Sequence, residues 1–378
     1  MKYAPKLFFA AFILLFIGAN VASPTSNKTS QISTYLIGTY TESRNQGIEL
    51  LSFNEENMQI SSKVIASAIK DPSFLITNRA KTLIFSVEGI ADGKVNVFGF
   101  NQISQNLTLI NKANSFGNSP CYLALDNSDR FLAVANYSSG NFSIYEVDSL
   151  GGLHFKQSIQ HHGGNTNKFR QENAYVHSMV FHPNGKQLLV ADLGADKIYI
   201  YDVNFSSKKP IIPANPAYFE VASGTGPRHM LIHPNGKTLY IVHELTGEIG
   251  TYHYKNGDIT HVKTLSLTTP KFNGDVQAAE VRMSSDGKFV YVSNRGTAND
   301  ISVFETSKEG DLSLIQQIST GGKTPRNFNI SLNGRYLVVA NQESDEIRIF
   351  KRDVFTGHLA LTDATMKINK PVYVLPLQ

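Results

Sequence analysis

Residues 224–252 read GTGPRHMLIHPNGKTLYIVHELTGEIGTY, and the punctuation of this stretch decides the fold. Two short apolar runs, 230–232 and 239–242, flank the pair Asn235-Gly236. Asn-Gly between such runs predicts a two-residue hairpin turn, because both central residues of a type I′ turn take positive φ. Residues 248–252 then open a third strand. A hairpin that leaves from Arg228 and returns at Glu244 brings this arginine and this carboxylate to the same end of the sheet, on one rim.

The unit recurs. Superimposing turns on Asn235-Gly236 aligns copies around Asn184-Gly185, Asp286-Gly287 and Asn333-Gly334, with degenerate copies near residues 75–100 and 122–147. The position of Pro227 falls at Pro72, Pro120, Val176, Ala278, Pro325 and Pro371. The spacing is roughly 45–55 residues, the period of a four-stranded propeller blade. Beyond Pro371 only a first strand fits before the chain stops, whereas residues 34–40 resemble a second strand and 47–53 a third. One blade is therefore expected from both termini, closing the ring and removing its free edge. Strand alternation without helical periodicity completes the prediction of an all-β, seven-bladed β-propeller over residues 32–378, with no linker and no second domain.

The N-terminus is different in kind. Lys2 and Lys6 precede an apolar core at 7–17 and then small residues, so residues 1–22 read as a secretory signal cut near Ala22 or Ala19. The core is short for a membrane span, which needs roughly 20 residues. Residues 23–31, rich in Ser, Thr and Asn, read as a disordered lead-in. The expected location is periplasmic or secreted, with no membrane attachment of the mature chain. The net charge of +4 loses two charges with that leader and is too small to suggest nucleic acid. Cys121 is the only cysteine, so no disulfide within the chain is possible, and no Cys/His array has zinc spacing. His161-His162-Gly163-Gly164, in the longest insertion, reads as an exposed polar loop, and His182 and His233 recur with their turns as scaffold.

The copies also carry particular motifs: Gly38-Thr39-Tyr40-Thr41, His177-Ser178, residues 191–196 (ADLGAD), residues 224–229 (GTGPRH), Glu244-Leu245, Ala279-Glu280-Val281, residues 293–296 (SNRG) and Pro325-Arg326. On these the chain resembles the seven-bladed β-propeller lactonase family, which includes bacterial 6-phosphogluconolactonase and fungal carboxy-cis,cis-muconate cyclase. The resemblance runs from Tyr35 to the C-terminus. It implies a site of one His, one Glu and two Arg, which map by motif onto His177, Glu244, Arg228 and Arg295. Arg170-Gln171 resembles an Arg-Gln pair of the family that reaches over the mouth. Three positions depart from the pattern: His243 stands for Asn, Tyr175 for His, and Asp300 for Ser.

The repeat gives an independent test of these four. The leading position of each innermost strand reads Ser73, Cys121, His177, Arg228, Ala279, Arg326, Val372, and the turn after the second strand reads Thr41, Gly89, Tyr137, Leu193, Glu244, Arg295, Gln342. Both columns lie on one face around the channel, and none of the four residues recurs as scaffold would. Their substitution is accordingly expected to leave the melting temperature near the parent's. An Arg-rich mouth with one carboxylate and one imidazole suits a small anionic lactone: guanidinium groups, Arg326 included, grip the anion and stabilise an oxyanion, and Glu244 or His177 moves the proton. No metal or cofactor is required. Ring opening of a sugar-acid lactone is the expected reaction; a muconate-type cycloisomerase and a non-catalytic binding propeller are the alternatives. Oligomeric state is not legible.

Overall fold

A computed structural model describes residues 1–2, 31–43 and 46–378; the expected leader and most of the lead-in lie outside these residues. Seven four-stranded antiparallel sheets form the ring. The innermost strands are Leu75–Thr77, Pro120–Leu125, Val176–Phe181, Pro227–Ile232, Val276–Met283, Pro325–Ile330 and Pro371–Pro376. The last of these pairs with Ile32–Thr39, and Gly47–Asn54 and Ile60–Ser67 complete that blade, so both termini close the ring as the sequence predicts. Among the described residues, no helix is long and apolar enough to cross a membrane.

Second strands are buried over nearly all of their length, and completely so in Phe131–Asn136, Gln187–Asp192 and Tyr336–Asn341. Their side chains enter apolar cores formed with neighbouring blades, so stability is distributed around the ring. The turns differ from expectation. At residues 233–236 the His233 carbonyl accepts from the Gly236 amide at 2.9 Å, and only the glycine takes positive φ, at 66°. Pro234 fixes its own φ near −65°, which fits the second position of a type I turn and excludes type I′. The Asn235 Oδ1 caps the turn by accepting the amides of Lys237 and Thr238.

One feature places the site. The innermost strands starting at Pro120, Val176, Pro227, Val276 and Pro325 each shift register near their start, so that one extra residue stands opposite a regular second strand. Between Pro371 and Tyr373 the extra residue is Val372, opposite Gly38 and Thr39. Bulges of this kind bend the strand and re-aim a side chain. Cys121, His177, Arg228 and Arg326 sit in them, at the channel mouth. The turn column differs from expectation in the closure blade: Thr39 pairs with Pro371 as His243 does with Pro227, so Tyr40, not Thr41, is the counterpart of Glu244 and lines the mouth, while Thr41 is hydrogen-bonded to Asp71.

Candidate active site

The mouth holds a cavity of about 420 Å³ lined by Tyr40, Cys121, Tyr137, Arg170, His177, Glu244, Gln277, Arg295 and Arg326, with smaller residues between them. Arg228 lies just beneath, 2% exposed. Glu244 is the hub. Its Oε2 is 2.9 Å from Arg228 Nε and 3.1 Å from Arg295 Nη2, and its Oε1 accepts from Arg170 Nη2 at 2.5 Å. Three guanidinium groups from three chain segments therefore converge on one buried carboxylate. Burial alone would raise Glu244, but Arg295, Arg228 and Arg170 hold it well below the usual carboxylate range.

His177 is buried, with Nε2 4.0 Å from Glu244 Oε2 and Nδ1 without a hydrogen-bond partner. Burial, with Arg228 adding like charge, keeps the ring neutral well below its ordinary value. Arg295 donates from Nε to the Gln277 carbonyl at 3.2 Å. Burial, opposed by Glu244 and reinforced by three other guanidinium groups, pushes it down to about 9, still charged at neutral pH. Arg326 is the exception among the four arginines. Among the described residues it has no carboxylate partner, and it lies over the Tyr40 ring at 5.3 Å.

The insertion behaves differently from its sequence reading. His161 is 3% exposed, not a surface residue: Nδ1 meets Asp192 Oδ2 at 2.9 Å and Nε2 meets the Tyr201 hydroxyl at 2.8 Å. Gln171 does not reach over the mouth. Fully buried, it donates from Nε2 to the Leu193 carbonyl at 2.9 Å, which anchors the turn that presents Arg170. Asp192 and Asp196 cap backbone amides, Asp192 those of Tyr175 and Ala195, Asp196 those of Gly224 and Gly226. Sequence reasoning assigned no role to Tyr137, Gln277, His229 or Glu280, which surround or underlie the four. His229 and Glu280 follow the leading position by one residue, and a regular strand would turn such residues away.

Asp300 departs from the family pattern in a measurable way. Its Oδ1 is buried without a hydrogen-bond partner, and burial pushes the acid up to about 7. Because the folded value is the higher one, its contribution is fully present below the unfolded value near 4 and is lost as pH rises through 7. Asp300→Ser should therefore melt like the parent near pH 4 and be more stable at pH 8, by on the order of 1–2 kcal/mol after allowing for partial exposure. Melting curves at the two pH values check this; an equal difference at both would remove the ionisation as its cause.

Residues 34–376 match the family described as Lactonase, 7-bladed beta-propeller. A 6-phosphogluconolactonase of Bacillus subtilis is 32% identical over 344 residues, 89% of this chain and 96% of that protein. One of Formosa agariphila is 33% identical over 340 residues, 88% of this chain and 96% of that protein. The solved structure of the Pseudomonas aeruginosa periplasmic gluconolactonase superposes with a TM-score of 0.87 at 29% identity, covering 92% of this chain and 99% of that one. With the ring, its closure and the match over nearly all of its described length, this chain belongs to the seven-bladed β-propeller lactonase family.

Proposed function

We propose that the protein hydrolyses a small anionic sugar-acid lactone at this mouth, with His177, Arg228, Glu244 and Arg295 as the catalytic group and Arg326 and Arg170 as the anion grip. The observation that carries the reading is the surplus of cations: three arginines share Glu244, and Arg326 faces the cavity free of any carboxylate among the described residues. The lactonase relatives support the reaction type.

Hydrolysis adds water to the ring carbonyl, collapses the tetrahedral intermediate and moves one proton to the departing ring oxygen. The developing oxyanion needs fixed positive charge, which Arg228 and Arg295 supply from a buried position where it acts strongly. Glu244 is too acidic among three guanidinium groups to accept a proton at neutral pH; its role is to hold them in place. His177, neutral and with Nε2 at the cavity, is the group that exchanges the proton. An anion bound beside it also offsets the like charge of Arg228, which favours transient protonation.

Purified protein assayed against lactones with and without an acid group tests the reading. The parent should prefer the acidic ones. Arg326→Ala should lower kcat/KM for acidic lactones by roughly 10–100-fold and leave neutral ones nearly unchanged. Unchanged discrimination would remove Arg326 from the anion grip, and binding without turnover would favour a non-catalytic propeller. We also propose export, on the leader at residues 1–22. A cytoplasmic form beginning at Met1 in the native host would overturn it.

A further inference from the structure

Below the mouth lies a second buried charge network that the reaction scheme does not use. Arg228 turns one edge of its guanidinium to Glu244. From the other, Nη1 donates to the Ala279 carbonyl at 2.6 Å and meets His229 Nε2 at 3.2 Å. Arginine has donors only, so His229 Nε2 must be the acceptor, and a neutral ring then carries its proton on Nδ1. That nitrogen lies 3.2 Å from Glu280 Oε1. Glu280, 2% exposed, is itself fixed by Arg282 Nη2 at 3.4 Å, by Asn327 Nδ2, and by the Val281 amide at 3.0 Å. Hydrogen bonds thus run from Glu280 through His229 to Arg228, and the ion pair of Arg228 Nε with Glu244 at 2.9 Å carries the line on to the mouth.

We propose that His229 and Glu280 are positioning residues for Arg228, holding its guanidinium in the orientation in which Nε faces Glu244 and the reacting carbonyl. The proposal rests on the lactone-hydrolysing reading of the mouth. The pair also makes the orientation sensitive to acid. His229 is faced by Arg228 on its own strand, Glu280 and Arg282 from the next blade, and the rings of His177 and Tyr122 from the preceding two, each 5.2 Å away between centroids. Burial and Arg228 push it down to about 4 against Glu280. Once protonated, His229 has no lone pair for Arg228, and two cations then stand in contact.

His229→Phe keeps an aromatic ring against Tyr122 and removes both hydrogen bonds; His229→Gln retains an acceptor and a donor. The first should lose roughly 10²-fold in kcat with little change in KM, the loss that a misdirected oxyanion donor produces. The second should recover most of the rate and lack the acid limb that the parent shows as pH falls toward about 4. A folded Phe variant with the parent's kcat would overturn the proposal. So would imidazole ¹⁵N spectra of the parent at neutral pH placing the His229 proton on Nε2, a measurement that stands even where the Phe variant does not fold. A parent that turns over no lactone would sink the functional reading by itself, and the same spectra would still decide the pairing.

Discussion

Glu244→Gln is expected to lower kcat/KM by at least ~10²-fold and, against the sequence-based expectation, to lower stability by ~3–5 kcal/mol. The amide keeps the size and an acceptor oxygen but removes the carboxylate that Arg228, Arg295 and Arg170 share. Uncompensated guanidinium groups then remain buried beside one another, and the fork that should meet the oxyanion loses its template. The pH dependence has a definite sign. Glu244 is more acidic folded than unfolded, so its contribution is present above the unfolded value near 4.5 and disappears as pH falls below it. Parent and variant should therefore differ most in melting temperature at neutral pH and converge in acid. A variant that melts and turns over like the parent would deny Glu244 both roles.

Deleting residues 371–378 is expected to abolish cooperative folding. Val372, Tyr373, Val374, Leu375 and Leu377 are all buried, and the last four enter two separate cores, Tyr373, Leu375 and Leu377 in one and Val374 in the other. At ~1.5–3 kcal/mol each, their loss is on the order of 10 kcal/mol, comparable with the whole stability of an ordinary domain. The deletion also bares the strand Ile32–Thr39 as an unpaired edge and frees Lys81, whose Nζ donates to the Leu377 carbonyl at 2.7 Å. Thermal melts and the soluble fraction on expression read the effect. A truncated protein that melts with the parent would show that the ring does not depend on closure.

The ring was legible because its punctuation is local. Turn residues at a steady period and a tail with a single leftover strand mark the blades whatever their cores contain. The details that failed are those set by geometry between segments. A bulge adds one residue to a six-residue strand, too little to disturb an apolar pattern, so nothing foretold that Glu280 and His229 face the channel or that Tyr40 replaces Thr41. His161 has the look of a surface residue until Asp192 and Tyr201, distant in sequence, enclose it. Asn-Gly suggested a mirror-image turn where Pro234 dictates the ordinary one. His177, Arg228, Glu244 and Arg295 are picked out by the motifs that carry the family resemblance, and aligning the chain with itself adds that none of them repeats as scaffold from blade to blade.

Those bulges separate what the mouth does from what holds the ring. Each extra residue stands outside the regular pairing of its strand, so exchanging its side chain leaves the backbone ladder and the turn in place. The mouth is thus an array of positions that can be rewritten one at a time. One of them, Cys121, lines the cavity and takes no part in the proposed chemistry. An acid, a base or an aromatic placed there would face the same substrate from a new direction, which makes this position the natural place to redirect specificity.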